Sequence, residues 1–155
     1  MPIVEFKALE ELRSRIGQEV AVSDWITITQ ERIDQFADAT DDHQWIHVDR
    51  ERAAKSPLGS TIAHGFLTLS MIPHFVYSTL KLPEARMTLN YGLNRVRFTN
   101  PVPAGKRIRA HFTPLRIEEG RSGATDLYWQ IAIEVEGADK PACIAESISR
   151  RFAGE

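Results

Sequence analysis

Two hydrophobic periods divide the chain. Over residues 127–135, Leu127, Trp129, Ile131, Ile133 and Val135 alternate with Tyr128, Gln130, Ala132 and Glu134. A period of two puts successive side chains on opposite faces, so the segment predicts a half-exposed antiparallel strand rather than a parallel one. Leu89, Tyr91 and Leu93 alternate in the same way, followed by Val96 and Phe98. Ile108, Ala110 and Phe112 stand against Arg107, Arg109 and His111, and Ile144, Ile148 and Phe152 close the series. An earlier strand is expected over 19–28, carried by Val20, Val22, Trp25, Ile26 and Ile28.

Helical spacing governs the first half. Leu9, Leu12 and Ile16 predict a short opening helix that ends near Gly17. Thr29 is placed to cap a helix over 30–39, where Ile33, Phe36, Ala37 and Thr40 recur at helical spacing, although Arg32 stands where a capping box needs Glu or Gln. Asp49 can cap a short helix over Arg50–Ala54, and residues 56–61 are loop. The run 62–80 is apolar nearly all round, which predicts a buried helix. Pro73 implies either a kink or two helical pieces, and both stay open. The expectation is one α+β domain over 1–155, its antiparallel sheet curled around a central apolar helix. Such a sheet keeps an uncovered edge that invites a partner subunit.

Composition narrows the function classes. A chain of 155 residues, 43% hydrophobic and 26% charged, can build a core without metal or disulfide staples. Nineteen basic and 21 acidic residues give a net charge of −2, which argues against a nucleic-acid surface. An anionic ligand needs a local patch instead; the candidates are Arg95, Arg97, Lys106, Arg107 and Arg109, with a solubilising face as the rival. The lone Cys143 reads as a buried, inert thiol. The N-terminus turns charged too early for a signal peptide, and no run reaches the roughly 20 apolar residues of a membrane span. A cytoplasmic location is expected.

Titratable groups crowd one stretch, Thr40-Asp41-Asp42-His43-Gln44-Trp45-Ile46-His47-Val48-Asp49. A loop there can bring Asp42 and His47 onto one water, the imidazole taking a proton near neutral pH and the carboxylate orienting or deprotonating the same water. A solvated connecting loop is the plain alternative. His43 and His47 have zinc-ligand spacing, but Gln44 stands where a zinc protease needs Glu and no third ligand is evident, so no metal is expected. Ser70 lies outside any GxSxG elbow. In Ala63-His64-Gly65-Phe66, Gly65 leaves its N–H open to a substrate carbonyl, or else simply admits tight packing; His64 is either a packing histidine or part of the site.

Three blocks carry a family resemblance: Asp42-His43-Gln44-Trp45-Ile46-His47-Val48-Asp49, then Ala63-His64-Gly65-Phe66-Leu67, then Tyr91 to Phe98 with Pro101-Val102-Pro103-Ala104-Gly105. Together they resemble the MaoC-like hot-dog dehydratases, which include (R)-specific enoyl-CoA hydratases, and within them the branch of nodulation protein N-like members. The resemblance implies a hot-dog fold, a homodimer, no cofactor, and an acyl-CoA or acyl-carrier-protein thioester as substrate. It assigns the family's acidic catalytic residue to Asp42, its histidine to His47 and the carbonyl-polarising N–H to Gly65. The usual pattern is Gly-Asp-x-Asn-Pro-(aliphatic)-His; here Gln44 and Trp45 follow the branch, while Asp41 in the glycine position departs even from that. Two rivals keep the same pocket: an acyl-CoA thioesterase and a non-catalytic acyl-thioester-binding subunit.

Overall fold

The computed structural model describes residues 1–154. The chain opens with β1 (Val4–Glu5) and α1 (Leu9–Arg13), whose Leu12 is buried. It then turns at Gly17, where φ is +85°, a value glycine adopts without the Cβ clash of other residues. The expected strand over 19–28 is two short pieces, β2 (Ala21–Val22) and β3 (Ile26–Thr27). Helix α2 (Gln30–Thr40) begins where Thr29 caps it, the hydroxyl accepting the Arg32 N–H at 3.1 Å. It buries Ile33 and Ala37.

Two short helices follow. α3 (Trp45–Val48) lies within the stretch expected to be loop. α4 (Arg50–Ala54) is capped by Asp49, which accepts the Arg52 N–H at 3.0 Å. The apolar run divides into α5 (Gly65–Ser70) and α6 (Ile72–Thr79). Pro73 falls in the first turn of α6, where a missing N–H costs no helical hydrogen bond, so the proline starts a second helix. β4 (Leu80–Lys81) pairs in parallel with β1.

The long strands are β5 (Met87–Arg97), β6 (Arg107–Glu119), β7 (Ala124–Val135) and β8 (Cys143–Phe152). They pair antiparallel in the order β5-β8-β7-β6, and both β2 and β3 add to the free side of β6. The alternation in β7 held as expected: Leu127, Trp129, Ile131, Ile133 and Val135 are all buried. Phe112 of β6 meets Trp129 edge-on at 6.0 Å. Phe75 of α6 is fully buried, and its loss would cost about 3–5 kcal/mol.

One expectation is overturned. The sheet is not curled around a single central apolar helix. Its strand path runs open from β5 to β2 and β3 without closing, and the parallel β1–β4 pair stands apart from it. α5 lies against β8 and α6 against β6, so the helices sit on the sheet rather than inside it. Their other side carries Phe66, His74 and Tyr77 in solvent, the two aromatics 68% and 74% exposed. The apolar run is therefore half covered. What remains is an α+β, hot-dog-like arrangement with an open sheet.

Candidate active site

Asp42 stands just past the end of α2, and the turn that delivers it is left-handed. Asp41 caps the helix with φ 60° and ψ 21°. Among side-chain-bearing residues, Asp and Asn tolerate that region best, and glycine occupies it without strain. The family's glycine at this position thus has a backbone reason, and Asp41 meets the same demand at some cost. The Asp42 side chain is exposed, its Oδ1 accepting the Gln44 N–H at 3.4 Å.

His47 sits on α3, not in a loop, and is buried. Its Nδ1–H donates to the Ile62 carbonyl at 2.7 Å. A carbonyl only accepts, so the neutral ring carries its proton on Nδ1 and leaves the Nε2 lone pair free. Burial lowers the His47 pKa from the ordinary imidazole value; the Ile62 bond and the Asp42 charge oppose this, and His64 reinforces it. The imidazole is a neutral base aimed by the backbone.

That aim depends on a polar chain running between elements. Gln30, the first residue of α2, is buried and donates to the His47 carbonyl at 2.7 Å and to Asp34 Oδ1 at 2.8 Å. The Thr61 hydroxyl donates to the Gln30 Oε1. Residues 61–63 are held in turn by the Pro-Val-Pro-Ala-Gly turn: Ala63 N–H donates to the Val102 carbonyl at 2.8 Å and Ala104 N–H to the Thr61 carbonyl at 2.9 Å. The third sequence block thus supports the strip that fixes His47. Sequence reasoning missed Gln30, because a single glutamine at a helix start carries no local signal of its burial.

The sequence leaves His64 open between packing and site; the structure brings it beside Asp42 and His47. Asp42, His47 and His64 bring one side-chain ligand atom each within 4.8 Å of one another. Two hydrogen bonds of about 2.8 Å meeting at a water span about 4.6 Å, so a carboxylate and an imidazole at this separation suit one shared water. The His64 ring is stacked on His47, centroids 3.8 Å apart and planes 21° apart. A metal ion must lie in the plane of each imidazole that binds it, and rings stacked this closely do not converge on one point. His64 Nε2–H donates to the Asp42 carbonyl at 2.9 Å, while its buried Nδ1 has no partner. A buried polar atom left so costs about 1–3 kcal/mol.

His43 is not brought to this cluster. It turns outward and pairs with Asp38 at 2.9 Å, a contact that raises its pKa. Trp45, in the place of the family's proline, opens α3 and lies 4.3 Å beneath the Arg52 guanidinium. Ser70 bonds its own helix, donating to the Leu67 carbonyl at 2.8 Å. Burial pushes the Cys143 thiol up to about 11, in keeping with an inert side chain.

Gly65 directly follows His64 and opens α5. Among the described residues no acceptor meets its N–H. A Cβ there would stand 2.8 Å from the Phe98 ring, so the glycine also admits tight packing. A hollow of about 290 Å³ lies beside it, lined by Ile62, Thr68, Phe98, Thr99 and Val102 among others. A second of about 290 Å³ lies between the helices and the sheet, with Leu69, Ile72, Pro73, Leu93 and Ile148 in its walls.

The basic candidates separate. Arg107 pairs with Glu136 at 2.7 Å and Arg109 with Glu134 at 2.6 Å, and both guanidinium groups lie over Trp25. They are cross-strand ties. Arg95 and Arg97 instead line a groove of about 520 Å³ that shares Thr99 with the hollow at Gly65, and Lys106 is exposed.

Comparison with known proteins gives the chain close relatives and a matching fold. The chain is 48% identical over 148 residues to 3-hydroxyacyl-thioester dehydratase Z of Mycobacterium tuberculosis, covering 96% of this chain and 98% of that one. It is 46% identical over 144 residues to nodulation protein N of Rhizobium leguminosarum bv. viciae, covering 92% and 89%. An R-hydratase structure from Pseudomonas aeruginosa superposes with a TM-score of 0.67 at 22% identity, over 90% of this chain and 83% of that one, which is a likeness of fold. Residues 11–127, which hold Asp42, His47, His64 and Gly65 together with the turn that supports them, match the MaoC like domain, and the chain belongs to that family.

Proposed function

We propose that the protein is a hydro-lyase that reversibly adds water to trans-2-enoyl thioesters, in the manner of an (R)-specific enoyl-CoA hydratase or 3-hydroxyacyl-thioester dehydratase. One observation carries the reading: a carboxylate and a neutral, backbone-aimed imidazole stand within reach of one water. The 48% identity to a 3-hydroxyacyl-thioester dehydratase supports it.

In this mechanism the substrate carbonyl accepts a hydrogen bond from the Gly65 N–H. Asp42 and His47 hold the water; as its oxygen attacks C3, one of them takes its proton and a proton is delivered to C2. Negative charge that develops on the thioester oxygen is met by the Gly65 N–H. Dehydration retraces the path. No step calls for a metal or redox cofactor.

The chain acts as a single domain and as a homodimer in this reading. Edge strand β5 leaves Met87, Leu89, Tyr91 and Leu93 at 43–52% exposure, and large apolar side chains along an open edge favour a second copy. The hollow walled by Leu69, Ile72 and Leu93 adjoins that edge, so the acyl chain would lie close to the interface. Arg95 and Arg97 are placed to meet the phosphates of a CoA or carrier-protein handle. A cytoplasmic location goes with such a substrate; no helix among the described residues is long and apolar enough to cross a membrane.

Incubation with crotonyl-CoA and longer 2-enoyl-CoAs tests the reading. Loss of the conjugated-thioester absorbance with formation of a (3R)-hydroxyacyl-CoA supports it. Free acid and thiol would indicate a thioesterase instead, and no turnover a binding subunit.

A further inference from the structure

His64 does more than pack. We propose that it is a positioning residue, holding the Asp42 segment by a backbone hydrogen bond so that the Asp42 carboxylate faces His47. The proposal rests on the reading of Asp42 and His47 as the pair that holds the water.

The Asp42 segment is weakly tied otherwise. Its side chain is exposed and makes only the 3.4 Å contact with the Gln44 N–H. The residue before it is in the left-handed region and the residue after it turns outward to Asp38. The Asp42 carbonyl has one partner among the described residues, the His64 Nε2–H at 2.9 Å. His64 itself is 2% exposed and cannot swing away. Its ring is stacked on His47 with centroids 3.8 Å apart and meets Phe36 at a tilt with centroids 4.9 Å apart. It therefore registers Asp42 against His47 by touching both.

Filling space alone does not call for a histidine, because each ring nitrogen that is buried needs a partner. Here Nδ1 is buried without a partner. Phenylalanine would fill the same slot between Phe36 and His47 and strand no polar atom. What histidine adds there is the Nε2–H bond to the Asp42 carbonyl, which phenylalanine lacks. Because His64 precedes Gly65, the same residue also links the Asp42 segment to the start of α5.

The test separates ring from donor. His64→Phe keeps an aromatic ring and removes the N–H; His64→Gln keeps an N–H of matching reach and removes the ring. Crotonyl-CoA hydration is measured for both beside the wild type and Asp42→Asn, with kcat and KM resolved and thermal midpoints recorded. His64→Phe is expected to fold with a midpoint at or above wild type and to lose about tenfold or more in kcat, the scale of one hydrogen bond, with KM little changed. His64→Gln is expected to recover most of the lost kcat despite a lower midpoint. Wild-type kcat in His64→Phe overturns the proposal, as does a His64→Gln no faster than His64→Phe. Should phenylalanine fail to fold, His64→Gln against His64→Met makes the same comparison, since methionine matches glutamine in length without the amide. Failure of the underlying reading shows separately, as a wild type without hydratase activity or an Asp42→Asn that turns over normally.

Discussion

The Nδ1–H of His47 donates to the carbonyl of Ile62 at 2.7 Å, and this bond decides which nitrogen of the ring is left to act. A flexible histidine would divide its proton between both nitrogens. Here the carbonyl requires the proton on Nδ1, so the lone pair of the neutral ring lies on Nε2.

If Nε2 of His47 and the Asp42 carboxylate share one water, neither suffices alone. Asp42→Asn and His47→Ala are each expected to lower turnover by about two orders of magnitude or more, the scale of lost acid–base assistance. The double variant should fall little further, because both act through the same water. His43→Ala should keep most activity, since His43 faces Asp38 instead. Steady-state hydration of crotonyl-CoA, with circular dichroism to confirm folding, checks this. Near-normal turnover in either single variant contradicts the mechanism.

Acidity should act through His47 in a stated direction. Burial is the largest cause lowering its pKa below the ordinary value of about 6.5, with Asp42 opposing and His64 reinforcing. The base stays neutral through neutral pH, so the acid limb of kcat/KM is expected below the ordinary value. In Asp42→Asn, which lacks the opposing charge, the limb should move lower still. The unfolded chain has the ordinary pKa and binds more protons in this window. The contribution of His47 to stability is therefore complete above about pH 6.5 and is lost as pH falls through the folded pKa. A limb at or above the ordinary value would contradict the burial argument.

Gly65 and Phe98 should be coupled. Gly65→Ala keeps the N–H but drives a methyl to 2.8 Å from the Phe98 ring, an overpacking that typically costs about 1–3 kcal/mol. Both the thermal midpoint and kcat/KM are expected to drop. Phe98→Ala added to Gly65→Ala should restore much of each, because the clash is with that one ring. Additive losses in the double variant would mean that the alanine acts elsewhere.

At Asp41 the family's glycine should be an improvement. The left-handed conformation costs a side-chain-bearing residue roughly 1 kcal/mol. Asp41→Gly is thus expected to raise the free energy of unfolding, measured by denaturant titration, by up to about that amount and to preserve turnover. A fall in stability would show that the Asp41 side chain repays its backbone strain.

Assembly is tested on β5. Sedimentation at micromolar concentration is expected to give a dimer, and Leu89→Lys, placing a charge on an exposed apolar edge position, should shift it toward monomer. A wild type that sediments purely as a monomer would remove the dimer from the reading.

Local pattern was enough for the elements whose cause is local. The caps at Thr29 and Asp49 and the alternation of β7 act within a few residues, and each is where the sequence places it. Pro73, by contrast, leaves kink and two helices open in the sequence, and the structure shows two helices parting at Met71. That Asp42 and His47 would come together was legible too, because two chemical types stand at one spacing within a recognisable block. The apolar run 62–80 misled, since a hydrophobic stripe says that a helix wants cover but not whether the sheet supplies it on every side. Only the tertiary structure decided that this sheet stays open, leaving Phe66 and Tyr77 in solvent. It also decided the tautomer of His47 and the place of His64. Both rest on hydrogen bonds between residues 15 and 22 positions apart, and such bonds exist only once α3, the strip at 61–63 and the end of α2 are packed together.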